Sequence, residues 1–247
     1  MECGNGPRVA FALTALLLAA TASSATPDFS GTWERYPDPW GEGPIPDDPP
    51  PPGGEPKLKQ PYAGAYEKLK LSKAEAMKTG KPVQEPSTLC LNEGMPTIMG
   101  AVHPIEILQT PKQLLVLAEF LTQTRRIYLN ENMPALEDVS PGYNGYSVGR
   151  WEGQTLVVQT IGVREDVTFF GFPHSAQMKL TERLRLTAPD LIENQVTIDD
   201  PDVLAQPYKF TFGYKRNPDY RIMEYICDNN RYHPNAEGGV DLDVSSK

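Results

Sequence analysis

The sequence is poor in residues that advertise chemistry. Its 247 residues include only three His and three Cys. His103, His174 and His233 are not spaced as HxH, HxxxH or HExxH, and neither Cys90 nor Cys227 has a CxxC partner, so no local metal-ligand pattern is present. GxSxG, Walker and GxGxxG motifs are missing too, which leaves serine-hydrolase, nucleotide and dinucleotide readings without local support. No metal and no cofactor is expected. Basic charge is short as well: 23 Lys+Arg stand against 32 Asp+Glu, for a formal charge of -9 and a pI near 4.9. Nucleic-acid affinity rests largely on clustered cations that neutralise phosphates, so a nucleic-acid partner is not expected. Beyond residue 25 no run is long and apolar enough to span a bilayer.

What is present begins with an address. Arg8 precedes a small and apolar run, Val9 to Ala22, followed by Ser23-Ser24-Ala25. A basic start, an apolar stretch too short to span and small residues at its end read as a secretory signal peptide over residues 1–25, cut after Ala22 or Ala25. The mature protein is therefore expected in the periplasm or outside the cell, with no membrane span. Cys3 leaves with the signal. Cys90 and Cys227 remain, and in an oxidising compartment two thiols so far apart are a candidate disulfide, with two buried free thiols as the alternative.

The clearest hairpin is GYNGYSVGRWEGQTLVVQT, Gly142 to Thr160, turning at Glu152-Gly153. Strand-like runs surround it: Ile105 to Gln109, Leu114 to Phe120, Arg125 to Leu129, Gly145 to Trp151, Thr155 to Ile161, Lys179 to Leu186, Ile192 to Ile198, Tyr208 to Lys215 and Ile222 to Cys227. Breakers such as Thr110-Pro111, Gly153, Ala188-Pro189-Asp190 and Asn217-Pro218-Asp219 separate several of them. With the Gly31-Thr32-Trp33 strand the count is about ten, and the short sequential connections predict an all-β fold, an up-and-down antiparallel barrel. A two-sheet β-sandwich is the alternative. No βαβ alternation occurs. Tyr36 to Pro61 holds ten of the 25 Pro and reads as an extended strap over the domain. Tyr62, Tyr66, Leu69 and Ala76 recur at helical spacing, predicting one amphipathic helix from Tyr62 to Thr79 that ends at Gly80. The organisation is thus a signal peptide (1–25), a first strand and strap (26–61), one barrel domain with an N-terminal helix (62–232) and a disordered tail (233–247).

Gly31-Thr32-Trp33 resembles the Gly-x-Trp of lipocalins, which in that family opens the first strand and plugs the closed end of the barrel with the indole. The chain therefore resembles the calycin-like group. A second resemblance covers Cys90 to Tyr232, through GMPTIM (Gly94 to Met99), PIEILQTP (Pro104 to Pro111), RRIYL (Arg125 to Leu129), GYSVGRWEGQTLVV (Gly145 to Val158), TERL (Thr181 to Leu184), TIDDP (Thr197 to Pro201) and EYIC (Glu224 to Cys227). These segments are similar to a large family of exported bacterial proteins of unassigned activity. That resemblance implies one continuous domain and supplies no catalytic residues.

Strand alternation assigns the faces. Tyr208, Phe210, Phe212 and Tyr214 share one side of their strand, an aromatic inner wall that either packs as core or receives a ligand. Leu180, Glu182, Leu184 and Leu186 share another, which points a carboxylate into the apolar side; Arg125, alternating with Ile127 and Leu129, is its expected partner. Asn194 joins the inward set, and Glu224, between Ile222 and Ile226, is a further candidate. His174, beside Ser175 in a Gly/Pro-rich loop, is the candidate for chemistry at the barrel mouth. Two functional readings follow. One is a barrel that binds a small apolar or aromatic molecule through Tyr208, Phe210, Phe212, Tyr214, Asn194 and Glu224. The other is a cofactor-independent lyase, isomerase or hydrolase using Glu182, Arg125 and His174. A structural envelope protein is a third, and oligomeric state is left open.

Overall fold

The computed structural model describes residues 1, 26–38, 49–79, 86–227, 232–234, 236 and 240–242. Residues 2–25 of the expected signal peptide lie outside the described residues, as do residues 39–48 of the strap.

Nine strands close into a barrel in sequence order: β1 (Gly31–Arg35), β2 (Ile105–Gln109), β3 (Gln113–Ala118), β4 (Gln123–Leu129), β5 (Tyr146–Glu152), β6 (Thr155–Ile161), β7 (Lys179–Ala188), β8 (Leu191–Asp199) and β9 (Tyr208–Arg216). The all-β barrel is the architecture the alternation predicts, and a sandwich is excluded by the β1–β9 pairing, Trp33 opposite Arg216 and Arg35 opposite Tyr214. The expected purely up-and-down order needs one correction. An odd number of strands cannot alternate in direction all the way round a closed sheet, so at least one neighbouring pair must be parallel. That pair is β4–β5, registered at Ile127–Ser147, Tyr128–Val148 and Leu129–Gly149. The connection from residue 130 to residue 145 carries the chain back along the barrel wall, with a single 3-10 turn, Leu136–Asp138, on the way. The β5–β6 hairpin turns at Gly153-Gln154, and the positive φ of Gly153 is what a type II′ two-residue turn requires of its first position.

One end of the barrel is sealed by the segment that leads into β1. Trp33 is fully buried and its indole N–H donates to the Phe29 carbonyl at 2.8 Å. Phe29, also fully buried, stacks on Trp151 at 5.5 Å between centroids. Arg216 lies over the Trp33 ring at 4.2 Å and hydrogen-bonds the Ser30 carbonyl.

The other end, the mouth, is filled by two loops. Between the strap and β2 the chain passes through a single helical turn, α2 (Thr97–Gly100), whose Ile98 and Met99, with Met95 just before it, are at most 1% exposed. The Gly94 N–H donates to the Gln123 side chain of β4, the Met95 N–H to the Tyr143 carbonyl, and the Tyr214 hydroxyl of β9 to the Met99 carbonyl at 2.7 Å. The segment therefore spans the mouth as a plug. Beside it the β6–β7 loop lays Phe169 on Phe210, stacked at 5.0 Å, and Phe172 on Tyr208 at 5.3 Å. The predicted helix, α1 (Tyr62–Thr79), packs over this loop through Tyr66, its one buried residue, which meets Phe172 edge-on.

One expected strand is corrected after β9. Ile222 to Cys227 forms no strand: a closed barrel has no free edge to accept one, and the segment after β9 runs up the outside, where Tyr220 and the Met223 N–H bind Glu119 and the Thr122 hydroxyl meets Tyr225. Tyr232 and, within the tail 233–247 expected to be disordered, residues 233–234 and 240–242 pair as two short strands, β10 (Tyr232–Pro234) and β11 (Val240–Leu242). The strap, expected to lie over the domain, meets the β8–β9 loop through an isolated bridge between Leu58 and Leu204. Cys90 and Cys227 form a disulfide, with Cα atoms 5.6 Å apart. It ties the stem of the plug to the outer C-terminal segment.

Candidate functional site

The lumen is apolar or aromatic on most sides and polar in its middle. The register sets Glu182 of β7 between Val158 of β6 and Val196 of β8, while Asn194 faces Phe212 and Ser147 faces Thr160. Five polar side chains meet there, none more than 1% exposed: Arg125, Glu182, Ser147, Thr160 and Asn194. Arg125 takes both oxygens of Glu182, Nη1 to Oε1 at 3.1 Å and Nη2 to Oε2. Nη2 also donates to Ser147 and Thr160, at 3.2 and 3.1 Å, and those two hydroxyls lie 2.8 Å apart. Asn194 donates from Nδ2 to Glu182 Oε1 at 2.9 Å, and its own Oδ1 is buried without a partner. A bidentate guanidinium–carboxylate pair of this kind satisfies most of the desolvation cost of both ions. It fixes Glu182 in place, with both carboxylate oxygens accepting hydrogen bonds.

Among the aromatic candidates, Tyr208, Phe210, Phe212 and Tyr214 all line the lumen and are 2% to 6% exposed. They touch one another and the plug, so the chain's own side chains fill the space: Phe210 and Phe212 stand 4.9 Å apart, and Gly100 of the plug abuts the Phe212 ring. Burial pushes the Tyr214 phenol well above its ordinary pKa of 10.0.

The structure brings Glu182, Arg125 and Asn194 together as the alternation predicts. Two candidates stand elsewhere. Glu224 is exposed on the outer C-terminal segment, because that segment is not a strand and its apparent alternation has no sheet behind it. His174 belongs to the β6–β7 loop, where Nδ1–H donates to the Ser175 carbonyl at 2.9 Å and Nε2 is buried without a partner. Ser175 and Asp200 adjoin it, yet the three do not form a nucleophilic relay. The Ser175 hydroxyl donates to Asp200 at 2.8 Å rather than to the imidazole, and Asp200 also accepts the N–H groups of Ser175, Asp202 and Val203. Asp200 is thus a turn clamp, and the Asp-Pro step that follows Asp199 was the signal for it. Ser147, Thr160 and Arg35 were not marked by the sequence reasoning. Ser147 and Thr160 alternate with residues such as Val148 and Ile161 that look more inward than they do.

No group of three or more His, Cys, Asp or Glu side chains suited to a metal forms among the described residues, and none of the helices there is long and apolar enough to cross a membrane. Compared with known protein families and with curated proteins, the chain matches none.

Proposed function

We propose that this is an exported, calycin-like carrier that binds a small apolar or aromatic molecule in the barrel lumen after the Gly94–Gly100 plug has moved aside. The carrying observation is a polar cluster built inside an otherwise aromatic lumen, with one acceptor, Asn194 Oδ1, still lacking a donor. A barrel that only needed filling is served better by aliphatic side chains, since buried ions rarely add net stability over a hydrophobic replacement. The plug supports the same reading. It is a short segment outside the sheet, held by a few hydrogen bonds and by the buried side chains of Met95, Ile98 and Met99, so displacing it breaks no strand pairing. Trp33 closing the far end and the single disulfide agree with the calycin-like, exported character.

The enzyme reading is weaker, because Arg125 occupies the carboxylate that would have to move a proton and His174 is engaged elsewhere. Native mass spectrometry of protein recovered from an exporting host tests the proposal. A retained small molecule, lost on Phe210→Ala, is the expected result. An apo mass for wild type, together with no binding in a screen of aromatic compounds, overturns it.

A further inference from the structure

Among its described residues the lumen holds two arginines and one carboxylate. Arg125 and Glu182 neutralise each other, and Arg35 is left over. It is the last residue of β1, paired with Tyr214, so its side chain turns in at the mouth and lies on the Phe212 ring, 4.3 Å from the centroid, and 5.6 Å from that of Tyr214. A guanidinium carries five N–H donors and keeps its charge in proteins. The described residues offer this one a carbonyl at 3.5 Å, that of Gly213, and the oxygen of Tyr214, while Nε is buried without a partner. Desolvation pushes the Arg35 pKa down, and no described carboxylate opposes it. Ring faces return part of the lost hydration of a cation, but they do not satisfy its donors. The group is planar, half-buried and stacked on an aromatic wall. That is an arrangement suited to a bidentate anion carried on a flat ring.

We propose that Arg35 receives the acidic head group of the lumenal ligand, so that the molecule carried is a small aromatic acid, its ring on the Phe212 wall and its anion on the guanidinium. The inference rests on the lumen-binding reading and narrows it from any apolar molecule to anionic aromatic ones.

Two dyes with the same ring system separate the possibilities: anilinonaphthalene sulfonate, which carries an anion, and N-phenylnaphthylamine, which does not. Fluorescence titration of the full mature protein is expected to show the sulfonate binding about tenfold more tightly or better. Arg35→Gln should abolish that preference, bringing the affinities for the two dyes together. Arg35→Lys, which keeps the charge and loses the fork, should retain only part of it. Equal affinity for both dyes overturns the anion site and leaves lumen binding standing. So does a sulfonate preference that survives Arg35→Gln. Binding of neither dye overturns both readings.

Discussion

Arg125 and Glu182 come from strands that are not neighbours, and they meet because both point into the same narrow lumen. Removing one partner leaves the other charged and buried. Glu182→Gln is therefore expected to lose about 3 to 5 kcal/mol in urea unfolding, while the double variant Arg125→Met/Glu182→Leu recovers most of it. An unchanged urea midpoint for Glu182→Gln would instead make the pair a functional device, and would revive the enzyme reading. Tyr214 gives a second prediction, in pH. Its phenol is raised by burial above the ordinary 10.0, and its hydroxyl donates to the Met99 carbonyl. Below pH 10 both folded and unfolded chains hold this proton, so the stabilisation is complete there. Above it the unfolded chain releases the proton and the folded one keeps it, so stability falls as pH rises. Urea midpoints at about pH 8 and about pH 10.5 should diverge less in Tyr214→Phe than in wild type. The variant itself should cost roughly 0.5 to 1.5 kcal/mol for the lost hydrogen bond.

The elements differ in how far the sequence announces them. The strands and α1 follow from period: apolar residues recur every second position from Ile105 to Tyr214, and Tyr62, Tyr66, Leu69 and Ala76 recur at helical intervals. The Arg125–Glu182 pair was legible by the same rule, since a carboxylate among Leu180, Leu184 and Leu186 has few places to go. The plug was not legible. Gly94 to Gly100 is too short for any period, and its burial depends on a mouth that exists only once nine strands have closed. Ile222 to Cys227 failed in the opposite sense, showing alternation with no edge left to pair with. The plug has its own test. A Cβ on Gly100 would sit 2.7 Å from the Phe212 ring, so Gly100→Ala should push the segment outward. It is expected to destabilise by about 1 to 3 kcal/mol while raising the rate at which an aromatic ligand exchanges, read by stopped-flow fluorescence. The disulfide acts on the same element from its stem. Cys90→Ser/Cys227→Ser opens a loop of 137 residues and should cost about 4 to 5 kcal/mol on chain-entropy grounds.

At the scale of the whole molecule, parity governs. Nine strands wound in order must include a parallel seam, and the chain places it at β4–β5, where the long connection from Leu129 to Tyr146 returns along the wall. Parallel pairing is slightly weaker per residue than antiparallel, and this seam is also short, ending at Ile127 and Ser147. Above it the wall is completed by side chains and by the plug: Asn144 Nδ2 donates to the Thr124 carbonyl, and the Gly94 N–H reaches Gln123. By contrast β7 and β8 are registered almost end to end, from Lys179–Asp199 to Ala188–Leu191. Local opening follows the weakest pairing, so the barrel should breathe at β4–β5 before it unfolds elsewhere. Hydrogen exchange followed by mass spectrometry checks this. Peptides covering 123–129 and 145–149 are expected to exchange well before those covering 179–199, and Gly100→Ala, by loosening the plug that backs the seam, should speed the former without altering the latter. Uniform protection around the barrel would mean that the seam is as firm as the antiparallel wall, and that a ligand must pass the mouth alone.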